Sequence, residues 1–248
     1  MSLPEVVARE EWLVQRKALL VREKELTRTL DRLNADRRRL PMVRLDKDYV
    51  FVGPPGEVAL ADLFEGRSQL IVRHFMFDPS WDEGCPSCTG AMDEMAPGHF
   101  AHLAEASTSY AVVSRAPLAK IEAYRASKGW TFPWYSSYHS DFNYDFHVTL
   151  DESVAPVEYN YRNPEEHRAA GTGYYVEGDQ PMERPGLSCF LRIGDDIFHT
   201  YSTYARGDDS LVGSGVGLLD LTALGRQEEW EEPKGRVEAV RAASGTAR

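Results

Sequence analysis

The apolar run Gln69–Phe77, QLIVRHFMF, is followed after a short loop by Cys85-Pro86-Ser87-Cys88. Such a run reads as a buried strand. The stretch Thr89–Ala104 beyond it reads as helical, interrupted at Pro97-Gly98. The two cysteines therefore fall between the end of a strand and the start of a helix. Unpaired N–H groups and the positive end of the helix dipole stabilise an anion there. A thiol in that place is activated, because the thiolate is its reactive form. Pro86 suits a first helical turn, having no N–H to lose. Two intervening residues let one thiol reach the other.

Three readings of the pair are open: a redox dithiol, part of a metal site, or an inert pair. A structural zinc site needs about four ligands, usually as two close pairs. The third cysteine, Cys189, lies in an apolar stretch, and no second Cys-x-x-Cys is present. His74, His99, His102, His139, His147 and His199 are scattered. No metal and no cofactor are expected. A peroxidase site would place Thr or Ser three residues before the reactive cysteine. Asp82 stands there, and an ionised carboxylate cannot donate a hydrogen bond.

Strand and helix signals alternate along the chain. Tyr49–Val52 and Ser109–Ser114 read as strands, Leu60–Phe64 as a helical turn, and Pro117–Ser127 as a helix closed by Gly129. Residues 151–185 are acidic and lack periodicity, so they read as an insertion. Leu187–Ile193 and Ile197–Tyr204 flank Gly194-Asp195-Asp196 as a hairpin. Leu211–Leu224 is expected to include a last helix, and the tail from Glu228 to be polar and frayed. The organisation expected is a helix over 1–40, a domain over 41–227 containing the insertion, and a tail over 228–248.

The N-terminal segment reads as one helix over 3–40, with Ser2 and Glu5 at capping-box spacing and Pro41 as its stop. Trp12, Leu19, Leu26 and Leu33 recur every seventh residue, widened by Leu13, Leu20 and Leu30. This stripe packs either on the helix's own domain or on a second subunit, making a homodimer. The first 40 residues carry a net +3 and the remainder −14. An acidic body argues against nucleic acid as a partner. No stretch approaches the ~20 apolar residues of a membrane helix, and no signal sequence is evident. A cytoplasmic location is expected.

Residues 130–147 are dense in rings, interleaved with Ser136, Ser137, Ser140, Asp141 and Asn143. Rings mixed with hydrogen-bonding groups suit either a core or a small-molecule pocket. If they lie at the same sheet edge as the dithiol, Trp134–Asn143 lines the approach to Cys85, with the insertion as a lid. Trp81, Trp134, Tyr138, His139, Asn143 and Arg206 are the candidate substrate-binding residues; Arg206 meets either an anionic substrate or the acidic insertion. Along Phe198–Thr203, alternate side chains are expected on opposite faces. Cys189 is expected to be a shielded thiol.

The stretches EKELTRTLDRLNADRRRLPMV, LADLFEGRSQLIVRHFMFDPSWDEGCPSC, VVSRAPLAKIEAYRASKGWTFPWYSSYHSDFNYDF and FHTYSTYARGDD resemble an uncharacterised bacterial family. Its members are described as thioredoxin-like dithiol–disulfide oxidoreductases. The resemblance runs from about residue 10 to 226. It implies an α/β, thioredoxin-like mixed sheet flanked by helices, with a long N-terminal helix and an acidic insertion before the terminal hairpin. By position, Cys85 matches the attacking thiol and Cys88 the resolving one. The implied partners are a disulfide or other oxidised-sulfur substrate and a cellular reductant. Two features depart from thioredoxins: Pro-Ser replaces Gly-Pro, and Pro185 stands a residue or two from the place of the cis-proline. A non-catalytic protein binding a small ligand among the rings is the alternative reading.

Overall fold

The computed structural model describes residues 7–205, 218–219, 222–225, 227 and 234–243. Its first element is α1 (Arg9–Arg39), uninterrupted by Gly or Pro and followed by Pro41. Glu10 and Glu11 in the first turn and Arg37, Arg38 and Arg39 in the last complement the helix dipole. The helix starts later than position 3, and the expected cap at Ser2 lies outside the described residues. The stripe does not pack on its own domain. Trp12, Leu19, Leu26 and Leu33 are all exposed, and within α1 only Asn34, Ala35 and Arg38 are buried. The helix meets the body at its last turns alone.

The body is built on one sheet. Its strands are β1 (Val43–Arg44), β2 (Val50–Gly53), β3 (Gly56–Ala59), β4 (Gln69–His74), β5 (Thr108–Ser114), β6 (Trp134–Ser136), β9 (Gly186–Ile193) and β10 (Asp196–Tyr204). They lie in the order β1-β10-β9-β4-β5-β6-β2-β3. β4, β5 and β6 are parallel, and β9 runs antiparallel to β4 in the centre. Helices α2 (Pro86–Asp93) and α3 (Pro97–Glu105) connect β4 to β5, and α4 (Leu118–Lys128) connects β5 to β6. Gly129 closes α4 at φ +67°, a left-handed cap that costs glycine little. A strand, a helical crossover to a parallel neighbour, and a terminal hairpin antiparallel to the first strand make a thioredoxin-like fold.

β4 is buried at every residue, as a central strand covered on both faces must be. Its alternation divides the interior. Ile71 joins Tyr110, Val112, Leu187, Cys189, Met92 and Trp134 on the face covered by α2, α3 and α4. Leu70 and Val72 join Val113, Phe190, Leu63, Phe64, Phe142 and Phe146 on the other. The rings of 130–147 are split between these faces. Phe132 and Trp134 serve the first; Phe142, from α5 (Phe142–Asp145), and Phe146 serve the second.

The insertion has structure of its own. It contains α6 (Pro164–Ala169), capped by Asn163 and Glu166, and β8 (Met182–Glu183), which pairs with β7 (Thr149–Leu150). Tyr159, Val176 and Met182 form a small core with Val148, Leu150 and Tyr204. In the hairpin, the expected strict alternation fails. A bulge between His199 and Tyr201 brings His199 and Ser202 onto one side, where His199 Nε2 lies 2.7 Å from Ser202 Oγ. The tail is not wholly frayed: α7 (Arg236–Ala243) packs Val240 against Leu191 and Leu224. Most of the helix expected in Leu211–Leu224 lies outside the described residues. Among those residues no helix is long and apolar enough to cross a membrane.

Candidate active site

Cys85 is the N-cap residue of α2, and Pro86 fills its first turn. The approach to this cap is tightly held. The Cys85 N–H donates to the Met76 carbonyl at 3.0 Å. A Cβ on Gly84 would lie 2.5 Å from the Phe75 ring, which is itself fully buried. Only glycine permits the chain to pass there. The Cys85 carbonyl accepts from both the Thr89 N–H and the Thr89 hydroxyl, each at 2.9 Å, and Thr89 Oγ1 lies 2.8 Å from the Tyr124 hydroxyl.

The two thiols have opposite environments. Cys85 is half-buried, and its sulfur lies 3.1 Å from Ser87 Oγ. A hydrogen bond from the Cys88 thiol lowers its pKa to about 5, helped by the Ser87 hydroxyl and by the Ser87 and Cys88 amides, against the opposing effect of burial. Cys88 is buried among Phe75, Phe77, Met92 and Trp134. Its donation to Cys85 and its burial hold its pKa well above the ordinary thiol range, and the Arg73 charge works against that rise. Cys85 is thus poised as an accessible thiolate and Cys88 as a protonated thiol beneath it. All three cysteines are free; Cys189 is buried on β9, where burial pushes its pKa up to about 12.

The loop over 78–84 is anchored from two sides. Lys120 donates to the Pro79 and Trp81 carbonyls at 2.9 and 2.8 Å. Arg115 pairs with Asp78 and, through Nε at 2.6 Å, with Glu183. Glu183 also accepts from Thr149 Oγ1 at 3.0 Å. Burial pushes the Glu183 pKa up, offset in part by Arg115 and Thr149. This triad, buried at Glu183 and partly exposed at Arg115 and Asp78, joins the loop before Cys85 to the end of the insertion. Among the described residues no three His, Cys, Asp or Glu side chains gather where a metal ion could be held.

The candidate binding residues disperse. Trp81 is exposed on the 78–84 loop, its own carbonyl held by Lys120. Trp134 is buried in the core shared with Cys88, its Nε1 donating to Ser114 Oγ at 3.0 Å. Asn143 is buried too, accepting from Ser137 Oγ at 2.8 Å and reaching Thr149, the neighbour of Glu183. Tyr138 and His139 are exposed and meet edge to face. Arg206 lies outside the described residues. Pro185 precedes Gly186, which pairs with His74 at the end of β4, but the cis bond among the described residues is Gln180–Pro181. Sequence reasoning missed Gly84, Thr89, Tyr124, Arg115 and Glu183. The glycine directly before the dithiol was a usable signal; nothing local marks the others.

Solved structures that resemble this one include peroxiredoxin Q of Xanthomonas campestris, at 14% identity and TM-score 0.41, covering 64% of this chain and 80% of that one. Another is a protein of Chlorobium tepidum described as a thiol:disulfide interchange protein DsbE, at 15% identity and TM-score 0.37, covering 73% and 99%. A third is a hypothetical protein of Sinorhizobium meliloti, at 14% identity and TM-score 0.36, covering 71% and 79%. No curated protein matches the chain. Residues 1–243 match the family described as bacterial protein of unknown function, DUF899, and the chain belongs to that family.

Proposed function

We propose that the protein is a dithiol–disulfide oxidoreductase. The observation that carries this reading is the asymmetry of the pair: a half-buried Cys85 sulfur surrounded by donors, above a buried Cys88 that keeps its proton. The Cys85 thiolate attacks one sulfur of a substrate disulfide, forming a mixed disulfide and expelling the other half as a thiolate. Cys88 then gives up its proton and attacks the Cys85 sulfur. That closes the Cys85–Cys88 disulfide and releases the second half as a thiol, so two electrons pass to the substrate. A cellular thiol reductant returns the pair to the dithiol. Ligand binding among the rings of 130–147 is less favoured, because Phe132, Trp134, Phe142 and Phe146 are spent filling the two cores.

The test uses a symmetric aryl disulfide. Wild-type protein releases both halves and ends oxidised. Cys88→Ser holds one half as a stable mixed disulfide on Cys85, and Cys85→Ser forms no such adduct. A stable adduct in wild-type protein, with Cys88 unreacted, would overturn the assignment.

A further inference from the structure

Nine large apolar side chains of α1 stand in solvent, with exposures from 39% to 70%. They recur as Trp12-Leu13-Val14 and Leu19-Leu20-Val21, then thin to Leu26, Leu30 and Leu33. The stripe is broad at the tip of the helix and narrow toward its root. A helix in water draws most of its stability from packing, and a contiguous patch of this size marks an interaction surface.

The root of the same helix offers a complementary shape. A groove of about 390 Å³ opens there, lined by Leu40, Pro41, Met42, Leu191, Ile193 and Val240. Arg37 and Arg236 stand on its rim, with Arg38 and Arg39 near enough to act on Arg236. The tip, by contrast, carries Glu10 and Glu11. The tip and root of one helix cannot meet, because α1 is about 46 Å long at ~1.5 Å per residue.

We propose that two copies of the chain pair their α1 helices antiparallel, each tip seated in the root groove of the other. The heptad series supplies the register. Trp12, Leu19, Leu26, Leu33 and Leu40 are symmetric about Leu26, so antiparallel pairing sets Trp12 opposite Leu40, Leu19 opposite Leu33, and Leu26 on the two-fold axis. Leu26, with 69% of its surface in water, then meets its own copy. The same register brings Glu10 and Glu11 toward the root arginines. A two-fold contact of this kind is self-complementary and closes at two subunits. A standard interface buries about 800 Å² per partner; the seven apolar side chains on and beside the stripe supply most of that area and the root groove the rest, while Val14 and Val21 lie on the far side of the helix. Parallel pairing would set the arginine roots together and leave both grooves open. A bilayer covers a stripe but has nothing to place in the groove.

The full-length reduced chain tests this by sedimentation. The expected species has twice the 28.0 kDa chain mass. Leu19→Asp with Leu26→Asp raises the dissociation constant by roughly 100-fold or more, since each loss counts twice across the axis. Circular dichroism checks that the variant remains folded. In a background of Cys85→Ser and Cys88→Ser, oxidative cross-linking gives the register without destabilising charges. A Trp12→Cys chain should not cross-link to itself but should cross-link to a Leu40→Cys chain. A monomer at every soluble concentration would overturn the proposal, as would a dimer indifferent to the Asp variants or a Trp12→Cys chain that cross-links to itself. So would a monomer that sediments with phosphatidylglycerol vesicles.

Discussion

Replacing Cys88 by Ala removes the largest contribution to the Cys85 thiolate. With the pKa at about 5, Cys85 is almost wholly ionised at pH 7. An ordinary thiol there is only a few per cent thiolate. Yet nucleophilicity falls with basicity, with a Brønsted slope of about 0.4–0.5, so four pKa units cost roughly 40–100-fold in intrinsic reactivity. The two effects nearly cancel at pH 7, and a labelling rate there is a poor assay. The informative quantity is the inflection of thiolate absorbance with pH. A hydrogen bond to a charged group is worth about 1.5–3 kcal/mol, or roughly one to two pKa units. The partial exposure of Cys85 holds the loss to the lower end. Cys88→Ala should therefore move the inflection from about 5 to roughly 6, whereas Cys88→Ser, which keeps a donor, should leave it close to wild type. The reasoning fails if Ala and Ser variants shift alike, or if the wild-type inflection lies above 8.

Stability should follow the same ionisation. The Cys85 pKa is lower in the folded chain than in the unfolded one, so the thiolate's contribution is fully present above the ordinary thiol value and is lost as pH falls through about 5. Reduced wild-type protein should lose its advantage over Cys85→Ser in urea as pH falls from 8 to 5; a constant difference would refute this. Gly84→Ala drives a methyl group into the buried Phe75 ring and should cost about 1–3 kcal/mol in urea denaturation while raising the Cys85 inflection. Glu183→Ala leaves Arg115 with Asp78 alone and should cost about 3 kcal/mol. A loss below ~1 kcal/mol would show that the triad does not anchor the loop.

Features set by neighbours in sequence were readable in advance. The run Gln69–His74, the Cys85 cap with Pro86, and the Gly129 stop each depend on a few adjacent residues. Features set by distant partners were not. Arg115, Asp78 and Glu183 come from three separate connections and bear no mark of their meeting. The rings of 130–147 were visible as a group, but their division between two faces follows from strand and helix placement within the sheet. The heptad stripe identified α1, while periodicity is silent on what covers it. The bulge after His199 changed which hydroxyl faces which imidazole, and no glycine or proline announces it.

The central position of β9 has a kinetic consequence. β4 can find β5 early, through a connection of two short helices, and that unit already contains Gly84, Cys85 and Cys88. The terminal hairpin also forms locally, across Gly194-Asp195. The two pieces must then join along β4 and β9, pairing His74 with Gly186 across everything between them, the insertion included. Loop-closure entropy grows only slowly with length, by about 0.6 kcal/mol per doubling, so the insertion weighs little at equilibrium. Its weight falls on the search, because contacts of high sequence separation slow folding. Until the hairpin docks, one edge of the strand leading to the dithiol is an unpaired ladder beside a half-formed core. During that interval Cys88 and Cys189 both lack their full covering, and a newly made chain carries three accessible thiols where the finished one carries one.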